Sequence, residues 1–344
     1  MLDLTVALTR NLRFEPLIDG TVKAKNLNLE FVVTTPPELF YRNLKYDEFD
    51  VFEMSISEFA VTRERSDGTR WQWSALPVFP AKAFVWLGLF VNSDAGIQSL
   101  SDLRGKRVGV PDYVMTAALW FRSFLKELHG IQPKDVFWHV GRAKQFSHGA
   151  ILGLDKKPPP GVSLNWLNEE QTFDRLLDRG ELDAAYGFAP RHDPKLQTFG
   201  NIDRYGGTPI AGNPRLQNLF ADGGRQVIID YFHKTGIVPA NHTIAVQKHL
   251  LQEHPWLALE LFKLFREAKE MAYERAKRWS SAYLYFEGHD AFDQAALFGD
   301  DPYPYGIKHN RRMLERLFRS SHEDTLTQNP ARIEDLFHPT TLDT

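Results

Sequence analysis

One histidine stands out as a candidate acid or base. His242 lies within residues 236–246, Gly-Ile-Val-Pro-Ala-Asn-His-Thr-Ile-Ala-Val, a segment that is predicted to cross between two lobes of the fold. Imidazole changes charge near neutral pH, and clefts are enriched in histidines that transfer protons. A hinge histidine bonded to backbone would fit the same pattern. The sequence therefore offers His242 for proton transfer and leaves a structural role open.

A strand–helix junction supplies a candidate anion site. Residues 107–110 have the apolar pattern of a buried strand, Pro111 and Asp112 interrupt it, and a helical pattern begins at Thr116 and Ala117. A strand that turns into a helix directs several free N–H groups at one point, and this point suits a carboxylate or phosphate. We predict that Thr116 and Ala117 bind an anion, although most such junctions hold no ligand.

Lys82 immediately precedes an apolar segment that is predicted to be the outward crossing. Burial there would lower the pKa of the amine and suit proton transfer, whereas a surface lysine with an apolar stem is the other interpretation. Further predicted substrate-binding residues follow the ends of strands and are Arg10, Ser55, Ser57, Arg142 and Arg191. Each also fits an ordinary role as a surface arginine or a helix cap. Weaker candidates are Glu53, His148, His233 and His289.

Several familiar site motifs are missing from the sequence. There is no His-x-x-x-His or His-Glu-x-x-His pattern for a metal, and no glycine-rich fingerprint for a phosphate loop or a dinucleotide. A Gly-x-Ser-x-Gly nucleophile turn is also missing. We therefore predict neither a metal nor a cofactor.

Composition narrows the class of protein. The 344 residues are 43% hydrophobic and 25% charged, as in a soluble globular protein, and the net charge of −3 gives no basic field for nucleic acid. No cysteine is present, which excludes disulfides, thiolate metal sites and a cysteine nucleophile. The N-terminus does not resemble a secretory signal, and the longest apolar run, 83–91, is too short for a membrane span. These features predict a cytoplasmic protein with no membrane partner.

The order of elements predicts how these residues are positioned. Strand signals at 2–8, 27–33 and 50–54 alternate with helix signals, and the pattern repeats at 107–110, 136–140 and 183–186. Such alternation favours an α/β fold with largely parallel sheets. We predict two lobes with a cleft between them: residues 1–86 plus 237–344 form lobe one, and residues 87–236 form lobe two. Helices over 255–279 and 310–318 are expected to pack on lobe one.

The chain resembles the 4,5-dihydroxyphthalate decarboxylase family. The segments that carry the resemblance span nearly the whole chain and are Phe52-Glu-Met-Ser-Ile-Ser57, Pro77-Val-Phe79, 103–117, 236–242, His254-Pro-Trp256, Gly299-Asp-Asp-Pro-Tyr-Pro-Tyr-Gly306 and Glu334-Asp-Leu-Phe-His-Pro339. The resemblance implies a two-lobed type II periplasmic-binding-protein fold. One departure is visible, because Val85 and Trp86 stand where the family tends to place an Arg-His pair.

The resemblance also implies an activity. It indicates a carboxy-lyase that decarboxylates a hydroxylated aromatic dicarboxylate, such as 4,5-dihydroxyphthalate, without a cofactor, and releases a catechol-type acid and CO₂. This chemistry needs an acid that protonates the ring carbon and a firm grip on the second carboxylate. A non-catalytic solute-binding or sensor protein for a small carboxylate is the alternative, as is a biosynthetic enzyme on the same scaffold. The oligomeric state is left open, with a homo-oligomer as one outcome.

Overall fold

The computed structural model describes residues 1–66, 68–185, 202–203, 213–220, 223–283 and 287–344. Its strands are β1 (Leu2–Thr9), β2 (Leu27–Thr34), β3 (Val51–Ser55), β4 (Trp73–Leu76), β5 (Phe90–Asn92), β6 (Arg107–Val110), β7 (Phe137–Val140), β8 (Ser163–Trp166), β9 (Ala184–Ala185), β10 (Leu216–Asn218) and β11 (His242–Gln247). Within these residues the strands form two separate sheets.

The first sheet has the strand order β2-β1-β3-β11-β4. Strand β1 runs parallel to β2 and β3, whereas β11 is antiparallel to both of its neighbours, β3 and β4. All five residues of β3 are buried, as expected for a central strand covered on both faces. The late strand β11 therefore places His242 beside residues that are almost two hundred positions earlier in the chain.

The second sheet has the order β10-β5-β9-β6-β7-β8. Strands β9, β6, β7 and β8 are parallel to their neighbours in that series, while β5 pairs antiparallel with β9 and β10. Together the two sheets and their covering helices confirm the predicted α/β class.

The helices cover both sheets. They are α1 (Glu15–Ile18), α2 (Pro36–Tyr46), α3 (Ile56–Arg65), α4 (Thr116–His129), α5 (His148–Ile151), α6 (Phe173–Asp178), α7 (Arg225–Thr235), α8 (Lys248–Glu253), α9 (Leu257–Tyr283), α10 (Glu287–Phe298), α11 (Ile307–Glu323) and α12 (Ile333–Leu336). In the described part of the chain, none of them combines the length and apolar character that crossing a membrane requires.

The two segments that were predicted to connect the lobes pair with each other. Lys82 and Ala240 form an antiparallel bridge, and Asn241 N–H donates to the Ala81 carbonyl over 2.7 Å. This pairing brings the outward and return crossings side by side between the two sheets. The lobe boundaries at 86/87 and 236/237 remain a prediction.

The C-terminal helices do more than cover the first sheet. Helix α9 packs on the first sheet with α1, in agreement with the prediction, but α11 contacts both α3 and α4. Asp324, the residue that immediately follows α11, forms a fully buried ion pair with Arg122 of α4, in which Arg122 Nε lies 2.6 Å from Asp324 Oδ2. Helix α11 therefore fixes the α4 helix of the second half against the α3 helix of the first.

Candidate active site

His242 lies at the edge of the first sheet where β3 ends. It is the first residue of β11, and its backbone pairs with that of Ser55, the last residue of β3. The carboxyl ends of parallel strands are where open α/β sheets bind ligands. The side chain of His242 is 17% exposed, so one end of it reaches solvent.

A buried carboxylate orients this histidine. Oε1 of Glu53 lies 2.6 Å from His242 Nδ1, and Oε2 of Glu53 accepts hydrogen bonds from Thr9 N–H at 2.9 Å and from the Thr9 hydroxyl at 2.6 Å. Burial alone would raise the pKa of Glu53, but the hydrogen bonds from His242 and Thr9 bring it below its ordinary value. Glu53 is therefore an ionised acceptor, the imidazole carries a hydrogen on Nδ1, and Nε2 is left to exchange protons.

An aromatic side chain forms a wall beside the imidazole. The Phe40 ring, on α2, stands perpendicular to the His242 ring with centroids 4.9 Å apart. Such edge-to-face contacts hold both rings in one orientation. The same Phe40 ring lies 6.1 Å from His148, on α5 of the second half. Phe40 thus touches residues from both halves of the molecule.

Thr116, at the predicted anion site, forms hydrogen bonds with the two predicted serines, Ser55 and Ser57. The Thr116 hydroxyl lies 2.8 Å from Ser55 Oγ and accepts a hydrogen bond from Ser57 N–H at 2.9 Å, while Thr116 N–H donates to Ser55 Oγ at 3.3 Å. The structure therefore brings together the N-terminus of α3 and the N-terminus of α4 from opposite halves. Both helix dipoles favour negative charge at this point.

Two buried hydroxyl oxygens near these termini have no hydrogen-bond partner among the described residues. One is Ser57 Oγ in the first turn of α3, and the other is Thr35 Oγ1 at the start of α2. Buried polar atoms are normally paired, and unpaired ones call for an explanation. A ligand oxygen bound here would satisfy them.

The remaining predicted binding residues lie in different surroundings. Ala117 is buried in the first turn of α4. Arg142 is buried, with its guanidinium engaged by Asp203 and His148. Arg10 is 65% exposed and lies 3.6 Å from Glu15. Arg191, together with the side chain of His289, lies outside the described residues, and His233 is exposed on α7. The role of each in substrate binding stays a prediction.

Lys82 is buried and points toward the C-terminal helices. Its Nζ donates to Asn310 Oδ1, on α11, over 2.8 Å, and burial lowers the pKa of the amine to about 8. None of its contacts in the described part of the chain reaches His242. Its predicted part in proton transfer is not tested by this arrangement.

We expect the pH dependence of stability to report this burial. The folded pKa of Lys82, about 8, lies below its ordinary value of 10.5, so the unfolded chain binds more protons between these values and wild-type stability rises with pH there. Lys82→Met removes this dependence. The free energy of unfolding of the variant relative to wild type should therefore fall by about 2–3 kcal/mol between pH 7 and pH 10.

Urea unfolding at both pH values measures this difference. The exposed Lys263, replaced by methionine in the same way, serves as the control and should leave the relative stability unchanged with pH. A Lys82→Met difference that does not vary with pH would contradict the assignment.

The partner of His242 is the residue that sequence reasoning underrated. Glu53 interrupts an otherwise buried apolar strand, Val51–Ser55, and a carboxylate at such a position needs a partner. That signal was present in the sequence, but the identity of the partner was not, because 189 positions separate Glu53 from His242. Among the described residues, no group of three or more His, Asp or Glu side chains is placed to hold a metal ion.

Val85 and Trp86, which stand where the family tends to place an Arg-His pair, lie in apolar surroundings. Trp86 is fully buried, with its ring 5.4 Å from Phe84 and 5.3 Å from Phe124. Val85 packs beside it against the same core. A charged side chain at the Trp86 position would be buried among aromatic rings.

Comparisons with known proteins place this geometry in context. The chain is 32% identical to 4,5-dihydroxyphthalate decarboxylase of Comamonas testosteroni over 344 residues, covering 99% of this chain and 98% of the relative. It is 36% identical to 4,5-dihydroxyphthalate decarboxylase of Pseudomonas putida over 186 residues, or 54% of this chain and 70% of that relative. No family model matches the chain.

Solved structures share the fold at low sequence identity. The periplasmic aliphatic sulphonate binding protein SsuA from Escherichia coli superposes with a TM-score of 0.54 and 12% identity, over the full length of both chains. This similarity shows a periplasmic-binding-protein fold and, at such an identity, nothing more specific.

Proposed function

The chain belongs to the 4,5-dihydroxyphthalate decarboxylase family and is a carboxy-lyase, and on that premise we propose its reaction. The protein removes one carboxyl group from a hydroxylated aromatic dicarboxylate by proton transfer from His242, without a cofactor. 4,5-Dihydroxyphthalate is the first candidate substrate. The observation that carries the proposal is the chain of hydrogen bonds from Thr9 through Glu53 to His242, at the point where the two halves of the molecule meet.

The reaction needs only a proton and an electron-rich ring. In 4,5-dihydroxyphthalate each carbon that bears a carboxyl group lies para to a hydroxyl, which donates electron density to it. Nε2 of the His242 imidazolium gives its proton to that carbon. The bond to the carboxylate then breaks, its electron pair restores the aromatic ring, and CO₂ leaves. Solvent returns a proton to the imidazole, so the net reaction consumes one proton and yields 3,4-dihydroxybenzoate.

Glu53 suits the role of a partner to an acid. An ionised carboxylate at 2.6 Å from Nδ1 stabilises the imidazolium and keeps Nε2 directed away from the sheet. Because Thr9 donates two hydrogen bonds to the other oxygen, Glu53 cannot turn away from His242 without losing them. The array therefore holds the acid in one orientation before the substrate binds.

The retained carboxylate requires separate recognition. Ser57 Oγ, the Thr116 hydroxyl and the N-termini of α3 and α4 form a group of hydrogen-bonding atoms that favours an anion. Binding the retained carboxylate here would leave the reacting one free of strong stabilisation, which would otherwise raise the barrier to CO₂ loss.

Removing these hydroxyls should weaken substrate binding. We expect Ser57→Ala and Thr116→Val each to raise KM by at least about 10-fold, since a hydrogen bond to a charged group contributes about 1.5 kcal/mol or somewhat more. The kcat should change little, because the interaction is made equally in the ground state and the transition state.

Steady-state kinetics of the two variants measure this effect. Thr62→Val is a matched control, because Thr62 is a buried threonine of α3 whose hydroxyl donates to the Phe59 carbonyl of its own helix. Unchanged KM values in both Ser57→Ala and Thr116→Val would move the carboxylate site elsewhere.

A substrate panel tests the proposed function itself. Purified protein is incubated with 4,5-dihydroxyphthalate, phthalate and 3,4-dihydroxybenzoate, while CO₂ and ring absorbance are followed. We expect CO₂ from 4,5-dihydroxyphthalate alone, because phthalate lacks a hydroxyl para to the reacting carbon and 3,4-dihydroxybenzoate lacks the second carboxylate that the anion site would bind. Saturable binding without CO₂ across the panel would favour a solute-binding protein or sensor.

A further inference from the structure

A second buried ionic cluster lies away from His242, on the opposite side of Phe40. It contains one guanidinium, one imidazole and three carboxyl groups, all with little or no exposure, and its members are Glu58, Asp112, Arg142, His148 and Asp203. Clusters of this kind are costly to bury unless their charges are paired and hydrogen-bonded. No member of this cluster takes part in the mechanism proposed above.

One half of the cluster anchors His148 to the second sheet. Arg142 Nε donates to Asp203 Oδ1 over 2.7 Å, and Arg142 Nη1 lies 2.9 Å from His148 Nδ1. The turn that carries His148 is held in place by Asp112, which accepts hydrogen bonds from the Ser147 hydroxyl at 2.8 Å and from Gly149 N–H at 3.2 Å.

Gly149 permits this close approach. A Cβ atom at Gly149 would lie 2.8 Å from Asp112 Oδ1, so a side chain there would push the turn away from Asp112. The position of His148 is thus set tightly by contacts within its own half.

The imidazole of His148 then reaches across to the first half. Both carboxylate oxygens of Glu58, on α3, lie 3.0 Å from its Nδ1, and its Nε2 lies 3.0 Å from the Pro37 carbonyl in the first turn of α2. These two helices are the ones that carry the site. Helix α3 presents Ser57 to Thr116, and α2 presents Phe40 to His242.

We propose that His148 is a positioning residue, which with Glu58 and Arg142 forms a buried latch that holds the two halves closed around the active site. The latch acts through Phe40 and the N-terminus of α3, and its effect on catalysis rests on the function proposed above. Opening the halves would separate Glu58 from the His148 imidazole and from the Arg142 guanidinium. The closed form is therefore favoured before substrate binds, and the acid and the anion site are assembled in advance.

Weakening the latch should raise KM and leave kcat nearly unchanged. When the binding-competent form is only fractionally populated, apparent affinity falls by that fraction, whereas saturating substrate restores the closed form. We expect Glu58→Gln and His148→Gln each to raise KM by about 10-fold, within the usual range of coupling effects, with kcat within about twofold of wild type. A merely structural role would lower the melting temperature without this split.

Small-angle X-ray scattering of substrate-free protein gives an independent measurement. We expect wild type to scatter as the compact form and both variants to show a larger radius of gyration that returns to the wild-type value with substrate. Glu323→Gln is the matched control. Its carboxylate also links α11 to α4, through Lys126, but is substantially exposed, and the same loss of charge should change neither KM nor scattering.

Wild-type KM and wild-type scattering in both folded variants would overturn the proposal. If either variant fails to fold by circular dichroism, Gly149→Ala displaces His148 without removing a charge and must show the same rise in KM and expansion. The absence of both in Gly149→Ala would equally overturn it. Failure of wild type to release CO₂ would refute the proposed function alone, since the scattering experiment reads the latch without turnover.

Discussion

Replacing His242 by asparagine should lower kcat by at least about 100-fold, the scale on which a general acid contributes to a reaction. Asparagine retains a side chain that can donate to Glu53 but cannot deliver a proton from the position of Nε2. The fold should persist, because the side chain lies at the surface end of β11 and not in the core. Single-turnover measurement of CO₂ release separates this loss from any change in substrate binding.

A second histidine controls for the substitution itself. His139 lies on β7 in the second sheet, where its Nδ1 is within 3.2 Å of the Phe137 carbonyl, and it is remote from the first-sheet edge in the strand order. His139→Asn should retain wild-type kcat. Near-normal turnover by His242→Asn would remove His242 from the mechanism.

Glu53→Gln should reduce kcat by about 100-fold or more, because a neutral amide neither stabilises the imidazolium nor fixes which nitrogen carries the hydrogen. The amide can still occupy the carboxylate's place and accept from Thr9, so KM should change far less than kcat. Rapid-quench kinetics with saturating substrate measure the chemical step directly. The control is Glu30→Gln on β2, an exposed carboxylate of the same sheet.

The pH dependence of the free energy of unfolding should also depend on the ionised carboxylate of Glu53. The folded pKa of Glu53 is lowered, so the stability that its ionised form contributes is present above its ordinary pKa of 4.5 and is lost as pH falls through the folded pKa. The loss of stability in Glu53→Gln should therefore be larger at pH 7 than at pH 3. A kcat within a few-fold of wild type would exclude Glu53 as the partner of the acid.

Local patterns predicted much of the fold. The strand at 107–110 and the helix that begins at Thr116 are both present, because a short apolar run, a proline break and a helical apolar period are properties of neighbouring residues. The long C-terminal helix, predicted over 255–279, spans Leu257–Tyr283. Ends of elements shifted by a few residues because caps and tertiary contacts decide them.

Contacts between residues far apart in the chain could not be predicted from such local patterns. Strand β11 inserts between β3 and β4, and this insertion alone makes His242 and Glu53 neighbours. The position of Arg142 after a strand predicts substrate binding, and this stays a prediction. Its partners Asp203 and Glu58 lie far along the chain, so sequence alone does not place them beside it. For Lys82 the sequence leaves a buried amine and a surface lysine open, and the structure shows the amine buried with a lowered pKa.

Proton transfer from His242 is tested most directly by the rate of CO₂ release from 4,5-dihydroxyphthalate by wild type and by His242→Asn under identical conditions. We expect wild type to form one CO₂ and one 3,4-dihydroxybenzoate per substrate consumed, with a rate at least about 100-fold lower in the variant. Substrate binding without CO₂ in wild type, or equal rates in the two proteins, would contradict this expectation.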